Sequence, residues 1–421
     1  MFNKTVLSNN LRVLTIPMKE ARAVTLYLIV KTGSRYEDRQ NSGISHFLEH
    51  LFFKGTKKRM GPSSIAKELD SIGASYNAFT SEEMTGFYIQ AESSKFSFIC
   101  DVLFDLLQNS QFPSKEIEKE RGVILEEMKM HQDTPFIYIF DLYKNLLYGD
   151  TSLGRLTVGS KETIQNLQRD NFVQYKKDYY KPQNILVAAA GAISEKDKKL
   201  LNSYGRKPQG KGQNKPEIFI DKQSQPEVLL NQKNTDQAHI ALGVKAVSRS
   251  SEKRFAAEVL NVILGATMSS RLFRELREKR GLCYHVASDV WYFADTGSLV
   301  VYTGVLLSKI DDAIKLIIKE FNALKKHGVG EDELDKAKEN LKGKLALKLE
   351  SSYNTASYYA DQELLLEKIQ TPEQEIAAIE KVSARDVQEL AKEIFVPEKL
   401  NLAIIGPYKD NKQFQKLLEE K

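Results

Sequence analysis

The second half of this 421-residue chain repeats the first half, and that repetition limits the folds open to it. Five short matches occur in the same order, and the offset between partners drifts only between 208 and 217 residues. Any one match could arise by chance, but five in order indicate a duplicated domain. The pairs are Val30-Lys31 with Val244-Lys245, Gly73 to Tyr76 with Gly281 to Tyr284, Glu116 to Lys119 with Glu333 to Lys336, Arg169-Asp170 with Arg385-Asp386, and Pro182 to Gly191 with Pro397 to Gly406.

The predicted fold class is α+β, with two homologous domains that each pack a mainly antiparallel sheet against helices. Runs such as FSFICDVLFDLLQNS place apolar residues at helical spacing, and consecutive strand-like runs around 75–92 and 283–306 favour antiparallel pairing. A segment rich in glycine, proline and lysine near 206–216 has the composition of a linker. We therefore expect domains at 1–205 and 221–421, joined by a linker at 206–220.

Composition argues against several classes of protein. The net charge of +5 is not clustered, which predicts no nucleic-acid partner. No apolar run approaches the ~20 residues that cross a bilayer, and the N-terminal residues lack the layout of a signal peptide, so no membrane partner is expected. Cys100 and Cys283 lie far apart and form no CxxC pair, which suits a reducing compartment. We expect a cytoplasmic protein.

The stretch HFLEHLFFKGT carries two histidines and a glutamate within five residues of a predicted helix. We expect serines in Ser42 to Ser45 to cap this helix near Ser45. His46 and His50 then lie on one face, with Glu49 beside them, and two imidazoles at this spacing can hold a divalent ion such as zinc. The number of such triplets expected by chance in a chain of this composition is roughly 0.01. The pattern therefore favours a metal site with a neighbouring base.

A third protein ligand is needed, and the helical run EIEKERGVILEEMKMHQD offers several. Glu120 and Glu127 share a face, while Glu126 lies about 100° from Glu127. His131 is a further possibility. Periodicity alone leaves Glu126 and Glu127 both open as the third ligand.

The repeat supplies a comparison within the same chain. His46, Glu49 and His50 correspond to Leu260, Ile263 and Leu264 at an offset of 214, and Glu120 and Glu127 correspond to Ala337 and Lys344 at 217. The second half therefore has no metal ligands at these positions. The polar residues of the first half are not a requirement of the repeated fold, which favours a functional role.

HFLEHLFFKGT, followed some seventy residues later by ERGVILEEM, resembles the pitrilysin/insulinase family of zinc peptidases with the H-x-x-E-H motif. Within that family the chain looks most similar to the mitochondrial processing peptidase branch and its single-unit bacterial relatives. The resemblance implies that His46, His50 and Glu127 bind one Zn²⁺ per chain and that Glu49 is the general base. It also implies that Glu120 supports the ligands.

The same resemblance implies how a peptide substrate is held. Asn77 and Ala78 fall in an edge strand that would pair with an extended peptide. In the second half, Arg277 would grip the substrate backbone and Tyr284 would donate to the developing oxyanion. The resemblance further implies a homodimer with composite active sites.

The predicted function is a zinc-dependent endopeptidase acting on peptides or unstructured segments inside a dimeric chamber. The alternative is a non-catalytic scaffold or assembly subunit of a processing-peptidase-like complex. Because the metal is argued from ligand type, Mn²⁺ or Co²⁺ could replace zinc in vitro.

Overall fold

The structure, a computed structural model, describes residues 2–210 and 215–419. Two compact units are formed by segments that alternate along the chain. The first unit comprises Met1–Lys129, Arg155–Glu217 and Ala346–Ile369, and the second comprises Met130–Gly154, Ile218–Leu345 and Gln370–Lys421. Residues 211–214 of the predicted linker lie outside the described part of the chain.

Each unit contains one sheet flanked by helices. The strands are β1 (Asn3–Val6), β2 (Arg12–Pro17), β3 (Ala23–Val30), β4 (Ser75–Thr80), β5 (Thr85–Glu92), β6 (Ile185–Gly191), β7 (Glu227–Gln232), β8 (Gln237–Ala246), β9 (Cys283–Tyr292), β10 (Gly297–Leu306) and β11 (Asn401–Gly406). The helices are α1 (Ile44–Phe52), α2 (Pro62–Asp70), α3 (Phe96–Asn109), α4 (Ser114–Asp133), α5 (Pro135–Tyr148), α6 (Lys161–Asn166), α7 (Arg169–Tyr179), α8 (Glu195–Gly205), α9 (Arg254–Leu264), α10 (Ile310–His327), α11 (Glu331–Lys348), α12 (Ser352–Leu366), α13 (Pro372–Lys381), α14 (Ala384–Ile394) and α15 (Lys412–Glu419).

The two sheets have the same topology. The strand order is β1-β2-β6-β3-β5-β4 in the first unit and β7-β11-β8-β10-β9 in the second, so that among the strands of the described residues only β1 has no counterpart. In each sheet one pair of strands is parallel, β2 with β6 and β7 with β11, and the other pairs are antiparallel. The predicted α+β class, with two mainly antiparallel sheets packed against helices, is confirmed.

Strand register repeats together with strand order. Ala23 lies opposite Glu92 in the first sheet, and Gln237 lies opposite Leu306 in the second, which is an offset of 214 on both strands. The parallel pairs repeat at an offset of 215. Helices α7 and α14, whose N-caps are Gln168 and Ser383, also align at 215, so the Arg-Asp sequence match at 216 is one residue out of structural register.

Each unit takes one helix from the other half of the sequence. Helix α12 packs on β3 and β6, where Ser352 hydrogen-bonds to Thr25 at 2.9 Å and the Tyr27 hydroxyl donates to Asp361 at 3.1 Å. Helix α5 packs on β8 and β11, where Tyr143 joins a buried cluster. The two helices begin 217 residues apart and are equivalent in the repeat.

The central strands β3, β6 and β11 are buried along almost their whole length, so both faces of each sheet are covered, and α12 and α5 each cover part of one sheet. The compact units are therefore not the linear segments 1–205 and 221–421, and those boundaries stay a prediction about the repeats. No helix in the described residues is both long enough and apolar enough to cross a membrane.

Candidate metal centre

Helix α1 presents an apolar face to the core of the first unit and a polar face that carries the histidines. Ile44, Phe47, Leu48 and Leu51 are fully buried, and the helix begins at Ile44, in agreement with the expected start near Ser45. The expected serine cap is not found, because the N-cap is Gly43 and no side chain of the cap residue bonds to the helix.

A distant carboxylate replaces the local cap. Glu37 accepts hydrogen bonds from the N–H groups of Gly43 at 2.7 Å and Ser45 at 2.8 Å. Gly43 has a φ of 92°, a left-handed conformation that favours glycine, and a Cβ there would lie 2.7 Å from the Val158 carbonyl oxygen. The N-terminus of the helix is consequently held by contacts from outside it.

His46, His50 and Glu127 each direct a ligand atom to one point, and these atoms lie within 4.8 Å of one another. Nε2 of His46 lies 3.6 Å from one carboxylate oxygen of Glu127, and Nε2 of His50 lies 3.7 Å from the other. A tetrahedral zinc ion with bonds near 2.1 Å separates its ligand atoms by about 3.4 Å. The donor set and its spacing therefore fit zinc.

The carboxylates on α4 divide into those that face α1 and one that does not. Glu120 accepts a hydrogen bond from Nδ1 of His50 at 3.1 Å and pairs with the ammonium of Lys54 at 2.8 Å. Glu126 is 72% exposed and pairs with Lys129 in the next turn. Of the two open candidates, Glu127 is beside the histidines. His131 belongs to the second unit, near Asp141 at 4.0 Å.

Glu49 is half-buried beside this cluster. Its carboxylate accepts a hydrogen bond from the Thr80 hydroxyl at 2.7 Å. Burial, together with the charge of Glu127, raises the pKa of Glu49, while the Thr80 hydrogen bond and His50 oppose the rise. Thr80 could not be predicted from the sequence as a partner of Glu49, because no periodicity connects the end of β4 with the middle of α1.

Asn77 and Ala78 lie on β4, at the edge of the first sheet. Asn77 is exposed, and its side-chain oxygen accepts a hydrogen bond from the N–H of Ala78 at 2.9 Å. Because β4 pairs with a strand on one side, its other side presents backbone groups that an extended peptide can bind.

Arg277 and Tyr284 lie together in the second unit. The Arg277 guanidinium stacks on the rings of Phe273 and Tyr284, 4.8 Å from each centroid. Arg277 is part of a π-helical segment, Phe273–Glu278. This conformation is rare in proteins, and where it occurs it is often at a functional site. Tyr284 is 80% exposed at the start of β9, so its hydroxyl can reach a ligand.

In the second unit, most of the positions that correspond to the metal-ligand positions of the first unit are occupied by buried apolar residues. Leu260, Ile263 and Leu264 are buried in the apolar core of that unit, as is Ala337. Lys344 is exposed on α11. The structure thus brings three ligand-type side chains together in the first unit and none at the equivalent places in the second.

A duplicated α+β fold with a two-histidine, one-glutamate cluster in its first half defines a class of metal-binding protein. Residues 12–161 match the family model described as Insulinase (Peptidase family M16), and residues 166–341 match the model described as Peptidase M16 inactive domain. The chain belongs to the insulinase family, peptidase family M16, which confirms the family resemblance seen in the sequence. The assignment to the processing-peptidase branch stays a prediction.

Similar proteins cover the whole chain. An uncharacterized zinc protease of Bacillus subtilis is 36% identical over 97% of this chain and 98% of its own length. The crystal structure of a protease from Helicobacter pylori has a TM-score of 0.92 at 24% identity, covering 97% of this chain and 99% of that one. A chain of Complex III2 from Candida albicans has a TM-score of 0.81 at 20% identity, covering 99% of both chains. The last two show a shared fold.

Proposed function

We propose that this protein is a zinc-dependent endopeptidase with one zinc site per chain, formed by His46, His50 and Glu127. The observation that carries the proposal is the convergence of three ligand atoms within 4.8 Å of one another, next to the half-buried carboxylate of Glu49. Family membership and relatives named zinc proteases support it. When bound, zinc would polarise a substrate carbonyl and make water a better nucleophile at neutral pH.

The protein's own residues supply the proton transfers. Glu49 takes a proton from the attacking water and delivers it to the leaving amine, and the Thr80 hydroxyl holds its carboxylate in one orientation. Glu120 fixes the ring of His50 through Nδ1, which leaves Nε2 as the ligand atom. Lys54 balances the charge of Glu120 and keeps this carboxylate turned toward the histidine.

Substrate binding is assigned to β4 and to the Arg277–Tyr284 pair. The edge strand offers main-chain groups around Asn77 and Ala78 to an extended peptide, which selects unstructured segments. Arg277 holds a substrate carbonyl, and the Tyr284 hydroxyl donates to the oxyanion. In a homodimer that encloses the substrate, the pair from one chain completes the site of the other.

A non-catalytic scaffold is the competing function, since the fold is shared with a chain of Complex III2 from Candida albicans. The cluster argues against it, because the second unit shows the same helices without ligands. A protein that used the fold only for assembly has no need for two imidazoles, one of them buried, facing a carboxylate.

Cleavage of a quenched-fluorescence peptide library tests the proposal. We expect cleavage by the zinc-loaded protein, loss after chelation, and recovery on adding one equivalent of zinc. A protein that takes up stoichiometric zinc but cleaves nothing would support the scaffold function. Product masses identify the bonds that are cut.

Composite sites can be tested by mixing two inactive chains, Glu49→Gln and Tyr284→Phe, under conditions where subunits exchange. A composite site predicts that up to half of the sites in mixed dimers are intact, so activity should return. If mixed dimers form and remain inactive, each chain builds its site alone.

A further inference from the structure

A buried polar network lies beneath the N-terminus of α1. Glu37 binds the N–H groups of Gly43 and Ser45. The Ser45 hydroxyl lies 2.7 Å from the Tyr175 hydroxyl, which in turn lies 2.8 Å from the hydroxyl of Thr32. The side chains of Glu37, Ser45, Tyr175 and Thr32 are all buried. Ser45 immediately precedes His46 in the sequence, so the hydrogen-bonded network ends at the residue next to the first proposed metal ligand.

The repeated half shows what the fold requires at these places. The offset of 214 that relates β3 to β8 places Ala246, Ser251 and Val259 at the positions of Thr32, Glu37 and Ser45. The offset of 215 between the helix caps places Leu390 at the position of Tyr175. The second unit therefore has no counterpart of the buried carboxylate or of the three hydroxyls. Three of the four positions are apolar.

The helix equivalent to α1 forms without such a network. In the second unit, Ser251 accepts ordinary turn hydrogen bonds from Lys253 and Arg254 through its hydroxyl and its carbonyl. Helix α9 runs from Arg254 to Leu264, and its residues are packed into the core. Helix α9 therefore forms and packs with a serine, rather than a buried acid, at the position equivalent to Glu37.

Keeping the network costs free energy. Burial raises the pKa of Glu37 to about 7, against the hydrogen bonds from Gly43 and Ser45 and the charge of Arg155, which lower it. A buried acid of this kind destabilises the fold relative to an apolar residue of similar size unless its hydrogen bonds compensate. The half that carries His46, His50 and Glu127 bears this cost at the position of Glu37, where the other half has Ser251.

We propose that Glu37, Ser45 and Tyr175 are positioning residues that fix the rotation of α1 and thereby aim His46 at the metal. The inference rests on the proposed zinc site. A rotation of the helix by roughly 10° would move an imidazole Nε2 by about 1 Å, which exceeds the tolerance of about 0.5 Å for a preorganised site. Glu37 blocks this rotation because it holds two backbone N–H groups of the first turn at once, those of Gly43 and Ser45, and Tyr175 holds the side chain of Ser45.

Zinc affinity of the purified full-length protein, measured by competition with a chromogenic chelator, tests the proposal. Glu37→Gln keeps an acceptor but loses the carboxylate that bonds both N–H groups, and Tyr175→Phe removes only the hydroxyl. We expect the dissociation constant for zinc to rise 10- to 100-fold in Glu37→Gln and by less in Tyr175→Phe, in the range seen when partners of metal ligands are removed. The visible absorption of bound Co²⁺ should change as the coordination geometry relaxes.

Leu201→Ala is the matched control, because Leu201 is fully buried in α8 and the network does not include it. It should lower the melting temperature without changing zinc affinity. If Glu37→Gln loses stability as Leu201→Ala does but binds zinc as tightly as wild type, the network serves the fold alone and the inference is overturned. If the wild-type protein binds no stoichiometric zinc, the proposed function itself fails.

Discussion

Replacing Glu127 by glutamine tests the geometry of the metal centre most locally. The two oxygens of Glu127 face Nε2 of His46 and Nε2 of His50 at 3.6 and 3.7 Å. Glutamine preserves the size of the side chain and leaves one neutral oxygen, which is a weak zinc ligand. The neighbouring Glu126 is 72% exposed and pairs only with Lys129 among the ion pairs that the structure describes.

The expected effect follows from the number of ligands. Structural zinc sites with four protein ligands release about 10–16 kcal/mol on binding, so one ligand contributes about 2.5–4 kcal/mol. Glu127→Gln should therefore raise the dissociation constant for zinc by roughly 10²- to 10³-fold. Glu126→Gln should leave the constant within about twofold, since an exposed ion pair contributes little. Chelator competition at fixed pH and salt measures both variants.

The two neighbouring variants also make the reasoning refutable. Equal losses in Glu126→Gln and Glu127→Gln would mean that general charge near the helix, rather than ligation, governs affinity. A loss confined to Glu126→Gln would mean that α4 is rotated by about one residue relative to the described geometry.

Three further outcomes are expected. Tyr284→Phe should lower kcat by about 10²- to 10³-fold with little change in KM, as expected on removing an oxyanion donor, and peptide kinetics measures this. Burial lowers the pKa of Lys176 to about 8 from 10.5, so the native state binds this proton less tightly than the unfolded state. Urea unfolding of wild type and Lys176→Met should therefore show wild type gaining about 3 kcal/mol relative to the variant between pH 8 and pH 10.5; a constant difference would argue against a neutralised lysine. Gly43→Ala should lower the free energy of unfolding by about 1–3 kcal/mol, because Gly43 has a positive φ and a Cβ there would meet Val158. Gly122→Ala, at a helical position with open space around it, should leave the melting temperature unchanged or raise it.

The fold class and the side-chain pattern of α1 could be predicted from the sequence because both are periodic or repeated signals. The spacing of His46, Glu49 and His50 places them in one sector of any helix, whatever that helix packs against. The repeat gave a second, independent indication of the fold class. The structure shows the same repeat, since strand order and register recur in the two halves with offsets of 214 and 215. These features depend on local geometry and survive without knowledge of tertiary contacts.

Features that depend on distant contacts could not be predicted in the same way. Periodicity could not choose between Glu126 and Glu127, because that choice depends on how α4 is rotated against α1. Thr80 acts through one hydrogen bond and Glu37 through two, in each case to residues of another part of the fold, and no spacing rule connects them. The exchange of α5 and α12 is likewise invisible in the repeat, because equivalent helices show the same pattern whichever sheet they cover.

Glu49 is proposed to transfer the proton from the attacking water to the leaving amine in peptide hydrolysis. The most direct measurement is the peptide-cleavage rate of Glu49→Gln at confirmed one-to-one zinc content, compared with wild type. Glu49→Gln should bind zinc as wild type does and lose about 10²- to 10⁴-fold in kcat, the contribution of a positioned general base. Undiminished cleavage by the zinc-loaded Glu49→Gln protein would contradict the account.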